Sequence, residues 1–392
     1  MPRPKLSFIP GNGTNYPEWK ETTIGQIGAF HYGKSAPKWS ITLTAQTPCV
    51  RYGELYTHHK YQVKKIYSYT EIPHSKLVFS KGGEVLVPRV GEEPLDFHKC
   101  CFLPFANIAI GEMISIYETK QNGLFISYLF NATMKYEFAK RVEGGNVSNL
   151  YYDVLTNIPI RIPCLEEQQK IASFFATLDE KIELSERKLE ALQQLKKGLM
   201  QKIFSNSIWG KVALKTVCQS FSGGTPSSKN KDFYVGDIPF IRSAEIHGNT
   251  TALFINQSAL DKSSAKMVNK GDLLYALYGA NSGDCDISKI NGAINQAILC
   301  IRPLYENTVD VLFLKEQLYH RKGQIISTYL QGGQGNLSGS LVMNLSVMLP
   351  PYKEQVKISA LFSLLNDKID LNKQKISLLQ QLKQGFMQQM FV

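Results

Sequence analysis

The stretch GAFHYGKS, residues 28–35, fits the pattern G-x-x-x-x-G-K-[ST] of phosphate-binding loops. In an ATPase, Lys34 would bind the β- and γ-phosphates of the nucleotide and Ser35 would bind magnesium. Such a loop must also open a helix, because the helix N-terminus supplies the amide groups that bind the anion. The residues after Ser35 read APKWSITLTAQTP, and both Pro37 and the β-branched run favour a loop and a strand. A stand-alone NTPase that uses Lys34 is therefore one alternative for the function, and the rest of the sequence has to be weighed against it.

Other patterns typical of catalysis are incomplete. The segment LPPY, residues 349–352, is similar to the motif with which amino-methyltransferases hold the target amine, but Leu349 stands where that motif has Asp or Asn. The cysteines include no C-x-x-C pair and the histidines no H-x-x-x-H pair, so the sequence predicts no metal site. It also contains no glycine-rich strand–loop–helix for AdoMet. We therefore expect a protein that is not an enzyme and holds no cofactor.

The composition predicts a negatively charged partner. The 392 residues include 44 Lys and Arg against 33 Asp and Glu, which gives a formal net charge of +11. A surplus of this size favours a polyanion, and nucleic acid is the first candidate. No apolar stretch reaches about 18 residues and the N-terminus carries no apolar leader. We therefore expect a cytoplasmic protein with reduced cysteines and no membrane segment.

The chain contains an internal repeat. Residues 163–204 align without a gap on residues 350–391, at a constant offset of 187 residues, and 20 of these 42 positions are identical. The segment PCVRYGEL, residues 48–55, is likewise similar to PFIRSAEI, residues 239–246. The repeat indicates two copies of a module in which a globular part precedes a helical part. The predicted limits are 1–162 and 207–349 for the globular domains, and 163–206 and 350–392 for the helical regions.

The two helical regions are typical of a coiled coil. Good helix formers dominate them, and apolar residues recur at heptad spacing. One such helix cannot bury its apolar stripe alone, so it needs a partner helix. The predicted interface consists of Phe175, Leu178, Ile182, Leu189 and Leu192 in the central region and Phe362, Leu365, Ile369, Ile376 and Leu379 in the C-terminal region.

Polar residues that interrupt these rows indicate the direction of pairing. A parallel pair would place Lys196 beside Lys383, which brings like charges together. An antiparallel pair can place Ser185 opposite Lys383 and Lys196 opposite Asn372, and all other layers are then apolar. Because unmatched buried polar groups are costly, the sequence favours the antiparallel pair. Such a pair is stiff and would act as a ruler between the two globular domains.

Gly198 and Gly385 occupy equivalent places inside these helical regions. A glycine inside a helix costs close to 1 kcal/mol relative to alanine. Close approach of another helix is the usual reason for accepting that cost. We therefore expect a helix of this chain or of another subunit to pass close to each glycine.

Most of the positive charge lies outside the helical regions. Residues 163–204 carry no net charge and residues 350–391 carry +3, so the remainder carries +8. Lys and Arg bind phosphates, whereas Arg, Asn, Ser and Tyr read base edges. The predicted DNA-binding residues are Lys34, Lys38, Arg51, Tyr52 and Arg89 in the first domain and Lys229, Lys231, Arg242, Ser243, Tyr278 and Asn281 in the second.

Arg51 and Arg242 are the strongest of these candidates. The repeat places both directly after an apolar strand. The alternative for each is an internal salt bridge, with Glu54 and Glu245 respectively. That alternative would neutralise the arginine and weaken any role in binding a polyanion.

Two variable basic domains, each followed by helices of the type EQQKIASFF…LDEKIE…LQQLKKGLMQ, resemble the specificity subunit of type I restriction–modification systems. The segment WGKVALKTVCQSFSGGTPSSKNKDFYVGDIPFIRSAEI, residues 209–246, is similar to the opening of that family's target-recognition domain. So is PKLSFIPG…YPEWKETTIGQI in the first half. The first copy departs from the family where HYGKSAPK replaces the usual GGTPS-like loop.

The resemblance implies an α+β fold. It consists of two mixed α/β target-recognition domains joined by two long helices that form an antiparallel coiled coil, with internal pseudo-twofold symmetry. Each domain would read one half of a bipartite site in double-stranded DNA, and the helices would set the spacer. Two methyltransferase subunits would bind this chain for adenine-N6 methylation, and two restriction endonuclease subunits would join for cleavage. AdoMet, ATP and magnesium would belong to those partners.

Two alternatives stay open beside this interpretation. The first is the NTPase that uses Lys34. The second is a structural coiled-coil adaptor that has no nucleic-acid role. Loss of ATP turnover in Lys34→Ala would support the first, and a salt-independent response to duplex DNA would support the second.

Overall fold

The computed structural model describes residues 6, 8, 16–42, 44–205, 208–329 and 336–391. The chain divides into two compact units, Met1–Glu186 with Lys375–Val392 and Arg187–Gln374. Each unit therefore contains one globular domain and a part of each long helix.

Short strands and short helices form the first domain. The strands are β1 (Lys20–Thr23), β2 (Gly28–Tyr32), β3 (Thr47–Val50), β4 (Ser68–Thr70), β5 (Phe79–Lys81), β6 (Glu84–Pro88), β7 (Val90–Gly91), β8 (Cys101–Leu103), β9 (Ala106–Ile110), β10 (Ile114–Thr119), β11 (Glu143–Gly144), β12 (Ser148–Asn149) and β13 (Pro159–Ile162). The helices are α1 (Ile24–Ile27), α2 (Tyr52–Thr57), α3 (Gly123–Thr133) and α4 (Lys135–Ala139), followed by the long helix α5 (Leu165–Phe204). β-Branched and aromatic residues are frequent in the central strands, for example ISIYET in β10, and suit a half-buried pleated surface.

Two four-stranded sheets, of order β2-β10-β6-β8 and β4-β3-β9-β5, form the body of this domain. Strands β3 and β9 run parallel, with Val50 opposite Ile110. The main core gathers buried Tyr117 and Phe125 from the domain and Phe175 from α5. The long helix is therefore part of the domain's core as well as a connection.

The second domain is built from corresponding elements. Its strands are β14 (Lys211–Ala213), β15 (Cys218–Ser222), β16 (Ile238–Ile241), β17 (Phe254–Ile255), β18 (Lys266–Val268), β19 (Leu273–Ala276), β20 (Cys285–Ile287), β21 (Gly292–Ile294), β22 (Ile298–Pro303) and β23 (Ser346–Met348). The helices are α6 (Gln257–Asp261), α7 (Val311–His320), α8 (Lys322–Tyr329) and α9 (Gly339–Met343), followed by the long helix α10 (Tyr352–Met390).

The two domains share one strand order. The sheet β15-β22-β19-β20 corresponds to β2-β10-β6-β8, and the sheet β17-β16-β21-β18 corresponds to β4-β3-β9-β5. The parallel pair recurs as β16 with β21, where Ile241 lies opposite Ile294. The sequence-based prediction of a duplicated mixed α/β domain followed by a long helix is confirmed.

A buried glutamine joins each long helix to its domain. The side chain of Gln168 in α5 accepts a hydrogen bond from the backbone N–H of Asn122, which caps α3, at 3.0 Å. Its equivalent in α10, Gln355, accepts from the backbone N–H of Asp310, which caps α7, at 2.9 Å. Both amides also donate to the backbone just before their own helix, to the carbonyl oxygens of residues 163 and 350. The repeated EQ motif therefore has a structural role in fixing the helix to the sheet domain.

In the first unit, the start of α5 packs against the end of α10. The ring of Phe174 lies 5.2 Å from that of Phe386, and the ring of Phe175 lies 5.7 Å from that of Phe391. Further along α5, Asp179 contacts Lys383, which lies earlier in α10. Residues later in α5 therefore contact residues earlier in α10, so these two segments run antiparallel.

In the second unit, the end of α5 packs against the start of α10. The Phe204 ring lies 6.1 Å from the Phe362 ring. Lys196 Nζ lies 2.7 Å from Oδ1 of Asn366. The segments in this unit are therefore antiparallel as well, as the sequence predicts.

The predicted register of this pair is wrong. The heptad pattern places Ser185 opposite Lys383 and Lys196 opposite Asn372. In the structure Asp179 holds Lys383, whereas Asn366 and Glu316 hold Lys196, with 3.2 Å between its Nζ and Oε2 of Glu316. Each cation thus meets a partner six positions from the predicted one. A buried lysine gains more from a carboxylate than from a hydroxyl or an amide, and Asp179 and Glu316 lie outside the heptad rows that the pattern compares.

Lys383 is held in an aromatic setting. Its Nζ lies 3.5 Å from the centroid of the Tyr61 ring, and the Tyr128 hydroxyl donates to Asp179 at 2.6 Å. Burial lowers the pKa of Lys383 to about 8, although the Asp179 carboxylate acts in the opposite direction. The polar interruption of the heptad is therefore a specific attachment of α10 to the first domain.

The ten predicted interface residues are all buried or half-buried. By contrast, no helix of the described chain passes close to Gly198 or Gly385, because a Cβ atom added at either would meet no atom within 4 Å. Of the two options that the sequence left open, a helix of this chain is therefore excluded at both glycines for the described residues. Contact with another subunit is the option that stays open. The seven cysteines are free thiols, as expected.

Candidate nucleic-acid interface

The ends of several strands bring the first domain's candidate residues together. The Lys34 backbone N–H donates to the carbonyl of Ile110 at 2.9 Å, and the Gly111 N–H donates to the carbonyl of Val50 at 3.0 Å. The Arg89 N–H donates to the carbonyl of Met113 at 3.1 Å. Arg51 directly follows Val50, so the segments that carry Lys34, Arg51 and Arg89 meet at one end of the two sheets.

Arg51 keeps its charge available. The alternative for it was a salt bridge with Glu54, but that carboxylate is already occupied by the Ser68 hydroxyl and by the backbone N–H of Arg51, and lies 3.8 Å from His59. Burial opposes ionisation of Glu54, yet these hydrogen bonds hold its pKa below its usual range. Within the part of the chain that the structure describes, the Arg51 guanidinium has no ion pair. Lys34, Lys38 and Tyr52 are exposed.

Arg89 lies in a different environment. Its guanidinium stacks over the rings of Tyr32 and Tyr151, 4.3 and 5.7 Å from their centroids, and donates to the carbonyl of Glu112 at 3.3 Å. The side chain is half-buried. This packing favours a structural role, in which Arg89 supports the turn that contains Glu112.

The apparent phosphate loop has a different geometry from a nucleotide site. Ser35 and Ala36 have φ angles of 62° and 60°, in the left-handed region, and the chain continues into the 3₁₀ turn Lys38–Ser40. The described residues between Ser35 and β3 form no α-helix, so the helix amides that an anion requires are missing there. The turn instead presents Trp39, which is 75% exposed.

One glycine of that loop has a clear packing reason. A Cβ on Gly33 would lie 2.2 Å from the carbonyl oxygen of Gly111. In the second domain, a Cβ on Gly223 would lie 1.8 Å from the carbonyl oxygen of Ile294. Both glycines therefore let a loop pack against the end of the central parallel strand, which explains why this part of the pattern recurs without phosphate chemistry.

The second domain holds its arginine more tightly. The Arg242 guanidinium forms a fork with Glu245, with Nε–Oε2 and Nη2–Oε1 distances of 3.1 Å each. The carboxylate raises the pKa of Arg242. Burial raises the pKa of Glu245, but the hydrogen bonds from Arg242 and the backbone outweigh burial and lower it. Of these two arginines, only Arg242 therefore forms the internal salt bridge that was the alternative for each within the described residues.

The other candidates of the second domain are spread over three segments. Lys229 and Lys231 are exposed in the segment between β15 and β16. Tyr278 and Asn281 are half-buried in the segment after β19, where Tyr278 forms a backbone bridge with Asn336. Ser243 is half-buried and begins the 3₁₀ turn that ends at Glu245. Whether any of these side chains contacts DNA stays a prediction.

Two exposed residues near these clusters escaped the sequence reasoning. Glu112 lies in the turn between β9 and β10, and Gln296 lies in the corresponding turn between β21 and β22. The Thr225 hydroxyl donates to Oε1 of Gln296 at 2.7 Å. The sequence offered one signal for them, because each follows the end of a central strand, β9 or β21, by two residues. The sequence analysis did not identify those strands.

A further unpredicted cluster surrounds His247. Its Nδ1 lies 2.9 Å from Oδ2 of Asp286 and its Nε2 lies 3.1 Å from Oδ2 of Asp284. Burial lowers the pKa of His247, but the two carboxylates outweigh burial and raise it. The ring borders a cavity of about 710 Å³ that Lys315 and Glu316 also line. Among residues 16–42, 44–205, 208–329 and 336–391, no group of three or more His, Cys, Asp or Glu is arranged to hold a metal ion.

A membrane span requires a long and apolar helix. No helix of the described chain is both long enough and apolar enough to cross a bilayer.

Known proteins with similar sequences and structures are specificity subunits. The chain is 24% identical over 263 residues to the putative type I restriction enzyme MjaX specificity subunit of Methanocaldococcus jannaschii, which covers 62% of this chain and 60% of that protein. It is 22% identical over 321 residues to the MjaVIII specificity subunit of the same organism, covering 73% and 74%. It is 21% identical over 313 residues to the EcoKI specificity subunit of Escherichia coli K12, covering 72% and 65%. The match thus spans less than two thirds of the MjaX protein.

Solved structures show the same fold. The S subunit of a type I restriction–modification system from M. genitalium superposes with a TM-score of 0.69 at 16% identity, covering 100% of this chain and 99% of that one. The family of the type I restriction modification DNA specificity domain matches residues 16–194 and 206–381. The two matched stretches follow the internal repeat. The chain therefore belongs to the type I restriction–modification DNA specificity family, with two copies of its domain, and the prediction of a specificity subunit rather than an enzyme is confirmed.

Proposed function

We propose that the chain is the non-catalytic subunit that recognises DNA for a type I restriction–modification complex. Each domain reads one half of a bipartite site in double-stranded DNA. The observation that carries the proposal is the duplication of one strand order, with exposed lysines in the corresponding segments of both copies, between β2 and β3 and between β15 and β16. Two equivalent reading domains suit a target with two separate halves.

Phosphate contacts account for the basic surplus. Lys34, Lys38 and Arg51 in the first domain and Lys229 and Lys231 in the second are the side chains that we assign to the DNA backbone. Such contacts release counterions, so binding must weaken steeply as salt rises. Retardation of duplex DNA by the complete complex should therefore fall by orders of magnitude between about 50 and 200 mM salt. An unchanged affinity over that range would favour the adaptor.

We assign the spacing of the two half-sites to the long helices. The 40-residue α5 is about 60 Å long at 1.5 Å per residue. Its first part is embedded in the core of the first domain, and its last part packs with Phe313 of the second domain's α7. A continuous helix anchored at both ends is stiff, so the separation of the half-sites would be fixed by its length.

Exposed leucines on the long helices support docking of two methyltransferase subunits. In the first unit Leu184 is 66% exposed. Leu382 precedes Gly385 by three residues, and a Cβ atom on Gly385 would meet no atom within 4 Å. In the second unit Leu371 is 64% exposed, and Leu195 has the same relation to Gly198. The repeat offset converts Leu184 into Leu371 and Leu195 into Leu382, so each unit presents one set of the same residue types.

These surfaces suit helices of a partner that is present twice. An exposed leucine on a long helix is an apolar contact, and a glycine with open space above it allows close approach of a second helix. We assign them to the two methyltransferase subunits. AdoMet then belongs to those subunits, whereas ATP and magnesium belong to the two restriction endonuclease subunits that join for cleavage.

Methylation mapping tests the recognition part of the proposal. DNA is taken from cells that contain this chain and its methyltransferase partner, and the methylated adenines are mapped. Replacing residues 207–349 by those of another family member should change one half of the mapped motif and leave the other half and the spacer unchanged. A change in both halves, or in neither, would contradict the assignment of one half-site to each domain.

Copurification tests the docking part. Leu184→Asp should remove one of the two methyltransferase subunits, Leu371→Asp should remove the other, and the double variant should remove both. Tyr305→Asp is a matched control, because Tyr305 is exposed in the second domain and lies outside the helices. Retention of both subunits by the double variant would overturn this docking surface.

A further inference from the structure

We infer that Glu112 and Gln296 are the equivalent base-reading residues of the two domains. Glu112 accepts a hydrogen bond from the amino group of a cytosine in one half-site, and Gln296 makes paired hydrogen bonds with an adenine in the other. Both contacts are made in the major groove. The inference rests on the proposed function and adds to it the residue and the base in each half.

The two residues occupy one position of the repeated fold. In the first domain Ile110 ends the central strand β9 and lies opposite Val50 of its parallel neighbour. In the second domain Ile294 ends β21 and lies opposite Ile241. Glu112 and Gln296 each follow the end of that strand by two residues, in a tight turn that leads into the next strand.

This position is at the end of the central strand opposite to the attachment of Gln168 or Gln355. Strand β10 begins at Ile114, just after Glu112, and runs six residues to Thr119. Asn122, shortly after that strand, donates its N–H to Gln168 of α5. Six strand residues span about 20 Å, so Glu112 is separated from the contact with Gln168 by the full length of this strand.

The second domain repeats this arrangement. Strand β22 begins at Ile298, just after Gln296, and runs six residues to Pro303. The chain then reaches Asp310, whose N–H donates to Gln355 of α10. Both turns are therefore at the opposite end of the strand from the glutamine that joins the domain to its long helix, and Glu112 and Gln296 are exposed there.

Glu112 is a carboxylate among cations, yet it pairs with none of them. Its backbone is fixed, because its N–H donates to the Ser35 carbonyl at 3.1 Å and its own carbonyl accepts from Arg89. Its side chain is exposed and has no hydrogen bond or ion pair within the described residues. DNA phosphates would repel it, so a carboxylate here is useful only where it meets an amino group at a base edge. Glutamate accepting from the cytosine N4 amino group is the expected contact of this type.

Gln296 is oriented for a different base. The Thr225 hydroxyl donates to its Oε1, which fixes the amide plane and leaves Nε2 directed away from Thr225. The oxygen can accept a second hydrogen bond while the NH₂ donates. That pair of groups matches N6–H and N7 of adenine, the usual bidentate contact of glutamine.

Both turns are also rigid, as base reading requires. Gly33 and Gly223 allow the neighbouring loop to pack directly on the strand end that precedes each turn. In the first domain that loop includes Ser35 and Ala36, whose left-handed backbone is unusual for residues with a side chain. Such backbone conformations persist where the surrounding structure holds them, often at functional sites.

Methylation mapping of the complete complex with Glu112→Gln and with Gln296→Glu tests the inference. Each variant keeps the size of the side chain and changes only its donors and acceptors. We expect Glu112→Gln to change the preferred base at one position of one half-site, with discrimination at that position altered by about tenfold or more. Gln296→Glu should do the same in the other half-site only. Glu306→Gln, in the exposed segment beyond the opposite end of β22, should leave the motif unchanged.

Three results would overturn the inference. A wild-type chain that yields no bipartite motif overturns the proposed function, and the inference with it. A bipartite motif that both variants leave unchanged overturns the inference alone, and so does a change in the same half-site for both. If a variant fails to methylate, selection of bound duplexes from a randomised pool gives the same readout of base preference.

Discussion

In the first domain the Arg51 guanidinium has no ion pair within the described chain, whereas in the second domain the Arg242 guanidinium lies 3.1 Å from both carboxylate oxygens of Glu245. The strand order and the position of the two arginines are the same. The difference arises from buried neighbours of Glu54. The Ser68 hydroxyl donates a hydrogen bond to its carboxylate, and His59 lies 3.8 Å from it. A duplicated scaffold can thus keep a residue in place while its electrostatic role changes.

The attachment of the long helices differs in a similar way. Lys383 forms a salt bridge with Asp179. The side chain of Lys383 is 8% exposed and that of Asp179 is 14% exposed. Lys196 has Glu316 and Asn366 as partners, and Lys315 shares the same Glu316. The first unit therefore depends on one carboxylate, whereas the second distributes the charge over several groups.

The largest predicted effect comes from removing the carboxylate on which the attachment in the first unit depends. Asp179→Ala leaves a buried cation without a carboxylate and should lower the free energy of unfolding by about 3–5 kcal/mol. Asn366→Ala, the control at the equivalent place, should cost only about 0.5–1.5 kcal/mol, because Glu316 still faces Lys196. Urea denaturation of both variants measures the difference. Equal losses would show that the two attachments are equivalent after all.

The same attachment should also make the stability of the protein depend on pH through Lys383. Its pKa is lowered from 10.5 to about 8 in the folded chain, so the unfolded chain binds its proton more tightly. Between these two values the unfolded state holds more protons, and the contribution of Lys383 to the free energy of unfolding rises with pH. The full change is about 3 kcal/mol. Unfolding free energies at pH 7.5 and pH 9.5 should therefore differ less in Lys383→Met than in the wild-type chain, and an unchanged difference would contradict the prediction.

The two arginines give the next effect. Arg51→Ala should weaken binding of the complete complex to its DNA site by about tenfold and reduce the slope of log affinity against log salt by about 1. Arg242→Ala should have a smaller effect, because Glu245 already offsets its charge. Glu245→Gln releases Arg242 and should strengthen binding. Fluorescence anisotropy with labelled duplex measures all three, and a larger loss for Arg242→Ala would reverse the comparison.

The smallest effect concerns Trp39. Trp19 and Trp209 pack against Phe125 and Phe313, at centroid distances of 6.0 and 6.5 Å, whereas Trp39 is 75% exposed beside Lys38. If the loop of the first domain faces DNA, duplex binding should reduce quenching of the Trp39 fluorescence by acrylamide. Trp39→Phe removes the accessible signal and is the control. Equal quenching with and without saturating DNA would place the loop away from the duplex.

Much of the fold was predictable because it depends on local patterns. The long helices follow from helix propensity and heptad spacing, and α5 and α10 begin within two residues of the predicted limits, at Leu165 and Tyr352. Their antiparallel direction follows from the avoidance of a Lys196–Lys383 contact. The duplication follows from sequence identity alone.

The site was less predictable. Arg51, Lys34 and Arg89 are brought together by backbone hydrogen bonds between strand ends that are far apart in the sequence. The free state of Arg51 depends on Ser68 and His59, which no local pattern connects with Glu54. Glu112 and Gln296 could be noticed only after the parallel strands had been identified, because their significance is their place in the fold.

The sequence by itself determined that this chain contains two copies of one domain, each followed by a long amphipathic helix, because repetition and periodicity are properties of the order of residues. The tertiary structure decided which charges stay available and which are neutralised. It placed Asp179 rather than Ser185 against Lys383 and Glu245 rather than solvent against Arg242. The physical reason is that electrostatic interactions depend on distance and burial in space, and these are set by packing between segments that the sequence keeps apart.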